Sequence, residues 1–94
     1  MFYYVYILRN QKSEKLYNGF TKDLKKRLFY HSHQMSKFTG RSVGWKLIYA
    51  EAYISEKDAR KREAFLKTGR GREVIRKQLS DTLAEVAELA YAHV

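Results

Sequence analysis

The chain begins with an unbroken run of aromatic and aliphatic residues from Phe2 to Leu8, which reads FYYVYIL. Successive side chains of a β-strand point to opposite faces of a sheet, so this run presents apolar groups on both faces. Aromatic and β-branched residues also favour strands. The run therefore predicts an inner strand that is covered on both faces, and the remaining elements must pack around it.

Turn residues, caps and hydrophobic spacing divide the rest of the chain into short elements. In chain order we predict a hairpin loop over 10–14, a strand over 16–20, a helix from an N-cap at Thr21 to about His33, a loop over 34–44, a strand over 45–53, a helix from a capping box at Ser55 and Asp58 to about Lys67, a break over 68–71, a basic helix over 72–79 and a final helix that begins at Ser80 and Asp81. These elements give an α+β fold in which a three-stranded antiparallel sheet is flanked by helices, with an extra C-terminal helix.

Residues 1–80 are expected to form one small domain, which residues 81–94 extend as an acidic amphipathic helix. The apolar face of that helix is set by spacings of three and four residues. This face is a candidate surface for a homodimer or a protein partner. Its members are Leu83, Val86, Ala87 and Ala90.

The charge of the chain is unevenly distributed. Its 94 residues include 19 Lys and Arg and 10 Asp and Glu, for a formal net charge of +9. Every basic residue lies between Arg9 and Lys77, which leaves +12 on residues 1–80 and −3 on residues 81–94. Such an excess favours a polyanion such as nucleic acid, with an acidic membrane surface second. The densest basic stretch, 57–77, has a plainer interpretation as a solvated helix face.

The composition also excludes several classes of protein. Cysteine is absent, so disulfides and thiolate metal sites are excluded, and a reducing compartment fits best. The first apolar run is far shorter than the roughly 18 residues of a membrane span, and no basic segment precedes it. We therefore expect a cytoplasmic protein without a membrane anchor.

Two polar residues fall beside the apolar stripe of the first predicted helix. Arg27 and His31 are four residues apart, next to Leu24 and Leu28, so both are expected near the sheet rather than in bulk water. An arginine in that position needs an anion.

Glu63 is a carboxylate on the apolar side of an otherwise basic helix, four residues after Ala59 and three before Leu66. One interpretation is a structural ion pair with Arg62 or Arg27. The alternative is a metal ligand.

Tyrosines are concentrated on the predicted sheet. Tyr4 and Tyr6 share a face of the first strand, and Tyr17 on the neighbouring strand could join them. Such clusters are more often core than catalytic, so spacing alone leaves both interpretations open.

The order of these residues resembles the GIY-YIG nuclease superfamily, in particular its small single-domain bacterial branch. The resemblance rests on Tyr4-Val5-Tyr6 in the first strand, Tyr17-Asn18-Gly19 in the second, and then Arg27 and Glu63 in successive helices. It extends over about residues 2–79. Each motif alone is weak, whereas the ordered combination is fairly specific.

This resemblance implies a fold and a mechanism. One divalent metal, Mg²⁺ or Mn²⁺, is held by the glutamate that Glu63 matches. Tyrosines matching Tyr6 and Tyr17 border the water nucleophile, and the arginine matching Arg27 contacts the scissile phosphate. His31 matches a frequent histidine that would orient a tyrosine or the phosphate, with a purely structural histidine as the alternative. A lone carboxylate suffices when water and substrate complete the shell of a hard cation.

The sequence departs from the family pattern at two positions. Asn18 replaces the usual isoleucine or valine, and its side chain is expected to point away from Tyr17, so that it affects packing more than chemistry. Tyr4 replaces glycine and shares a face with Tyr6, so it is expected to narrow the site.

The leading hypothesis is therefore a metal-dependent endonuclease that hydrolyses DNA phosphodiester bonds, with structured, branched, damaged or single-stranded DNA as working substrates. The first alternative is a basic nucleic-acid-binding module with weak or no cleavage. The second is an interaction protein that acts through residues 81–94.

Overall fold

Three antiparallel strands form one sheet, and the first strand is the central one. Strand β1 (Tyr3–Asn10) lies between β2 (Leu16–Thr21) and β3 (Trp45–Tyr53). The structure, a computed structural model, describes residues 1–32 and 44–92. All six residues from Val5 to Asn10 are buried, so the predicted inner strand is confirmed.

Four helices complete the described part of the chain, and the predicted α+β class is confirmed. They are α1 (Leu24–Ser32), α2 (Glu56–Leu66), α3 (Gly69–Gln78) and α4 (Ser80–Ala92). The loop predicted over 34–44 lies outside the described residues except for Gly44.

The first hairpin turn begins at residue 11, one residue later than the loop predicted over 10–14. Strand β1 continues to Asn10, whose side-chain Oδ1 accepts hydrogen bonds from the backbone N–H groups of Lys12 (2.9 Å) and Ser13 (3.0 Å). The asparagine side chain thus takes the place of backbone partners in the turn.

The N-cap of α1 is Asp23, and the prediction of Thr21 was wrong. Thr21 is still paired with Tyr4 in the sheet, and its hydroxyl accepts from the Asp23 N–H at 3.1 Å. Asp23 Oδ1 accepts from the N–H of Lys26 at 3.0 Å, and the Asp23 carbonyl accepts from Arg27. The cap therefore places Arg27 in the first turn of the helix.

The N-cap of α2 is Ser55, as predicted, and its hydroxyl accepts from the Asp58 N–H. The break predicted over 68–71 is wrong beyond Thr68, because α3 already begins at Gly69. Thr68 caps α3 by accepting from the Gly71 N–H at 3.0 Å. A Cβ at Gly71 would overlap the backbone at the end of α2, so glycine allows this tight helix-to-helix junction.

The hydrophobic core lies between one face of the sheet and helices α2 and α3. Leu83, half-buried in α4, packs against it, whereas Leu89 in the same helix is 60% exposed. Among the described residues, no helix is long and apolar enough to cross a membrane. The fully buried members of the core are Val5, Ile7, Ala59, Leu66, Ile75 and Leu79.

Candidate active site

The face of the sheet opposite the hydrophobic core carries a cluster of three side chains in mutual contact, Tyr6, Tyr17 and His31. Tyr6 has no exposed surface, and its hydroxyl lies 2.8 Å from His31 Nε2. The Tyr17 ring lies 6.4 Å from the Tyr6 ring and 5.4 Å from the His31 ring, centroid to centroid. Three of the predicted site residues, from β1, β2 and α1, are therefore in contact.

Gly19 makes the position of Tyr6 possible. The two residues are partners across β1 and β2, and a Cβ at Gly19 would overlap the Tyr6 hydroxyl and ring carbons. The glycine of the second tripeptide is thus required by the close approach of the Tyr6 ring, not by an unusual backbone angle.

The environment keeps both tyrosines protonated at neutral pH. Burial raises the pKa of Tyr6 strongly, with Tyr17 as the next contributor, and burial also raises the pKa of Tyr17. The positive charge of Arg27 lowers both pKa values, in the direction expected from the sequence, but burial outweighs it.

His31 is neutral at neutral pH, because burial first and the positive charge of Arg27 second lower its pKa below the usual 6.5. A neutral imidazole retains an acceptor nitrogen, so Nε2 can accept a hydrogen bond from the Tyr6 hydroxyl. The expected location of His31 near the sheet is confirmed, since it is only 6% exposed.

Arg27, in contrast, is exposed, and the expectation that it would be shielded from bulk water was wrong. Because Asp23 caps the helix, Arg27 falls in the first turn, over an open groove beyond the end of β2. Its guanidinium lies 5.5 Å from the centre of the Tyr30 ring. Within the described residues it has no ion-pair partner, so it remains available to an anion.

Glu63 lines the same groove as Arg27, and its side chain is 24% exposed. Its carboxylate lies 3.8 Å from Lys67 Nζ, one helical turn further along α2. The ion pair considered with Arg62 is not formed, since Arg62 binds Glu51 instead. The negative charge of Glu63 acts to raise the pKa of both Tyr6 and Tyr17, which places it within electrostatic reach of the tyrosine cluster.

Asn18 joins β2 to the turn of α2 that bears Glu63. Its side chain points away from the Tyr17 face, as expected, but there its Nδ2 donates to the Glu63 carbonyl at 3.1 Å. The Lys67 N–H, the ordinary helical partner of that carbonyl, bonds to Ala64 instead. Asn18 thus satisfies a carbonyl left free at the end of the helix. No pattern of residues predicts this contact.

A second contact that holds α2 on the sheet was not predicted from the sequence. Arg62 donates from Nε and Nη2 to the carboxylate of Glu51 in β3, with Nη2 at 3.0 Å, and the hydroxyls of Tyr49 and Tyr53 donate to it at 2.7 and 2.6 Å. Burial alone would raise the pKa of Glu51, but the hydrogen bonds from Arg62, Tyr53 and Tyr49 together lower it. Burial and Glu51 raise the pKa of Tyr53 to about 12. The available signal was an acidic residue between two tyrosines at alternate strand positions.

A divalent metal would find two carboxylates lining this groove, those of Glu63 and Asp23, and Oδ1 of Asp23 already accepts from the Lys26 N–H as the cap of α1. Within residues 1–32 and 44–92, no group of three or more His, Asp or Glu side chains could hold a metal ion. Glu63 is partly exposed and its single ion pair is long, so its oxygens are accessible to a hard cation. Mg²⁺ commonly uses one or two carboxylates and completes its shell with water and phosphate oxygens, so the donor set fits.

The comparisons with known proteins agree with this fold. A family model described as the GIY-YIG catalytic domain matches residues 2–76. A UPF0213 protein of Clostridium perfringens is 38% identical over 65 residues, which are 68% of this chain and 69% of that protein. A UPF0213 protein of Staphylococcus saprophyticus is 36% identical over 67 residues, or 70% of this chain and 80% of that one.

A solved structure shares the architecture. The solution NMR structure of a UPF0213 protein from Bacillus halodurans matches with a TM-score of 0.54 and 30% identity, over 83% of this chain and 85% of that chain. The fold is that of a small α+β domain, and the matching family model is that of a catalytic domain. The chain belongs to the GIY-YIG family, and the resemblance drawn from its ordered motifs is confirmed.

Proposed function

We propose that this protein is a divalent-metal-dependent endonuclease that hydrolyses phosphodiester bonds of DNA. The observation that carries the proposal is one groove that holds the exposed guanidinium of Arg27 and the accessible carboxylate of Glu63, next to the cluster of Tyr6, Tyr17 and His31. A cation and a carboxylate so arranged suit a phosphate and a metal ion, respectively.

Each residue has a distinct role in this proposal. Glu63 holds Mg²⁺ or Mn²⁺, which when bound supplies charge neutralisation and acidification of water. Arg27 binds two oxygens of the scissile phosphate through its planar guanidinium. Tyr17, only half-buried, borders the attacking water, whereas buried Tyr6 acts through its hydrogen bond to His31 and orients Tyr17.

The protonated state of the tyrosines refines these roles. With their pKa values raised by burial, neither Tyr6 nor Tyr17 is a ready base at neutral pH in the metal-free protein. We infer that the Tyr17 hydroxyl positions the water by hydrogen bonding. Neutral His31 then serves as the acceptor that fixes the orientation of the Tyr6 hydroxyl.

The test is a cleavage assay with separate measurement of binding. The wild-type protein is incubated with supercoiled plasmid and with branched, duplex and single-stranded oligonucleotides in Mg²⁺, in Mn²⁺ and in chelator. Metal-dependent nicking that is lost in Glu63→Gln and in Arg27→Ala, with DNA binding retained in Glu63→Gln, supports the proposal. Glu73→Gln and Arg70→Ala are matched controls on exposed positions of α3, and both should cleave normally.

A second candidate function is a nucleic-acid-binding module that cleaves poorly. The raised pKa values of Tyr6 and Tyr17 favour it, because neither protonated tyrosine can act as a base at neutral pH. This candidate predicts binding that weakens steeply with added salt and no product with either metal.

We retain the division into residues 1–80 as the active domain and 81–94 as an extension of it. Since Leu83 is packed on the core, a homodimer or partner contact through α4 would use the opposite part of the helix, where Leu89 is exposed. Sedimentation of the wild type and of a Leu89→Glu variant tests this contact. If the wild type is an oligomer and the variant has the same mass, the contact is excluded.

A further inference from the structure

A second groove lies on the other side of Glu63, between the edge strand β2 and helix α3. Its volume is about 530 Å³. Its lining includes Tyr17, Asn18 and Lys67, so the groove adjoins the candidate active site. Its lining residues are Ile7, Lys15, Leu16, Tyr17, Asn18, Leu66, Lys67, Arg72, Ile75 and Arg76.

The rim of this groove is cationic. Lys15 comes from the start of β2, Lys67 from the end of α2, and Arg72 and Arg76 from one face of α3. None of the lining residues is acidic. Among the described residues, Lys15, Arg72 and Arg76 have no ion-pair partner, while Lys67 pairs at 3.8 Å with Glu63.

Helix stability explains only part of the pair on α3, because Arg76 lies in the last turn, where a cation is favourable, and Arg72 does not. Like charges four residues apart repel one another along a helix, so Arg72 and Arg76 are unfavourable neighbours. The other exposed cations of α3 that avoid the groove, Arg70 and Lys77, lie on a different helical face. The cations that line the groove therefore repel one another, and an anion bound there would offset this repulsion.

Lys67 connects this groove with the candidate active site. Its Nζ donates to the Asn18 carbonyl at 3.0 Å, lies 3.8 Å from the Glu63 carboxylate and lies 5.6 Å from the centre of the Tyr17 ring. Glu63 also lines the groove that holds Arg27 at the far end of β2. The two grooves thus lie along the same edge strand, with Glu63 between them.

The length of that strand fits a nucleic-acid backbone better than a single small anion. Strand β2 has six residues, which at about 3.3 Å each span roughly 20 Å. Consecutive phosphates of one DNA strand are about 3.4 Å apart along the helix axis, so several phosphates can lie along this edge. The apolar floor at Leu16, Leu66 and Ile75 suits the sugars and bases between them.

We propose that the groove of Lys15, Lys67, Arg72 and Arg76 is a second phosphate-binding site, which holds the DNA strand on one side of the phosphate bound at Arg27 and Glu63. The proposal deepens the proposed nuclease function and rests on it for the position of the cut. The groove itself requires only that the protein binds DNA.

Binding measured without cleavage separates the two proposals. The Glu63→Gln protein is titrated in chelator against a fluorescein-labelled 20-nucleotide DNA, as single strand and as duplex, and the dissociation constant is followed by anisotropy at several salt concentrations. The groove variant is Arg72→Glu with Arg76→Glu. Its matched control is Arg70→Glu with Lys77→Glu, which makes the same change of charge on the same helix.

The groove variant should bind at least tenfold more weakly than the control for one or both DNA forms. The slope of log affinity against log salt should fall by about two, because each phosphate contact contributes roughly 0.9. Arg72→Lys with Arg76→Lys should recover most of the binding, since the charge is kept. Circular dichroism and thermal melting establish that every variant is folded.

Equal losses in the groove variant and the control would overturn the proposal, because the effect would then be one of overall charge. Competition by inorganic phosphate at concentrations equal to those of DNA phosphate would also overturn it, since the site would then take a free anion. A wild-type protein that binds DNA through the groove yet never cleaves would refute the proposed nuclease function alone.

Discussion

The side-chain amide of Asn18 donates to the carbonyl of Glu63 at 3.1 Å, which fastens the edge strand of the sheet to the helix turn that carries the candidate metal ligand. At the opposite edge of the sheet, Glu51 of β3 binds Arg62, the residue before Glu63. The two outer strands therefore hold adjacent residues of α2. These two contacts hold the turn of α2 that carries Glu63 in a fixed position relative to the groove.

Replacing Asn18 by leucine should loosen the Glu63 turn. The lost hydrogen bond and the unsatisfied carbonyl are expected to cost about 1 to 2 kcal/mol of unfolding free energy. The metal concentration needed for half-maximal cleavage should rise more than the maximal rate falls, because Asn18 positions Glu63 without touching substrate. A maximal rate that collapses at unchanged metal dependence would contradict this role.

Gly19→Ala should destabilise the fold, because its Cβ would overlap the hydroxyl and ring of Tyr6. Overpacking of this kind costs about 1 to 3 kcal/mol, and each kcal/mol lowers Tm by roughly 4 to 8 °C in a domain of this size. Gly69→Ala is the control, since nothing lies within 4 Å of a Cβ there. Calorimetry that gives equal Tm values for both variants would argue against the described packing of Tyr6.

The pKa of His31 should respond to Arg27. Burial and the Arg27 charge both lower it in the folded protein, so Arg27→Ala should move the pKa of His31 upward toward 6.5. NMR titration of the imidazole, assigned with His31→Gln, measures the change. Lys25→Ala, an exposed cation on the same helix, should leave the value unaltered; an equal shift there would indicate a general charge effect.

The same depressed pKa predicts a pH dependence of stability. The unfolded chain binds the His31 proton at about pH 6.5 and the folded chain only at lower pH, so unfolding free energy falls as pH decreases through that window. Urea unfolding at a series of pH values should show this fall in the wild type and a smaller one in His31→Gln. Identical pH profiles would refute the assignment.

Glu51 should stabilise the protein above its unfolded pKa and lose that effect in acid. Its folded pKa is lowered by its hydrogen-bond donors in spite of burial, so the contribution disappears as pH falls below about 4.5 toward the folded value. At pH 7, Glu51→Gln should lose about 3 kcal/mol, because Arg62 keeps its charge without a carboxylate. Urea unfolding of Glu73→Gln, at an exposed position of α3, is the control. An equal loss of unfolding free energy in that variant would contradict a specific role of the pair between Glu51 and Arg62.

Local patterns were enough for the order of the elements and for the family. The run of Phe2 to Leu8 required a covered central strand, because neither of its faces could be left to water. The ordered positions of Tyr6, Tyr17, Arg27 and Glu63 led to the family, because a motif is a matter of residue order. The charge pattern indicated a polyanion without reference to any fold.

Contacts between elements were decided only by the tertiary structure. Thr21 and Asp23 are both good caps locally, and the pairing of Thr21 with Tyr4 in the sheet left the cap to Asp23. From the sequence, Asn18 predicts only a change of packing. In the structure, the end of α2 presents to it a carbonyl that lacks its helical partner. The burial that raises the pKa of Tyr6 likewise depends on groups distant in sequence. Periodicity and order act through neighbouring residues and so determined the strands, helices and family, whereas capping choice, anchoring and proton affinity depend on which elements meet in space.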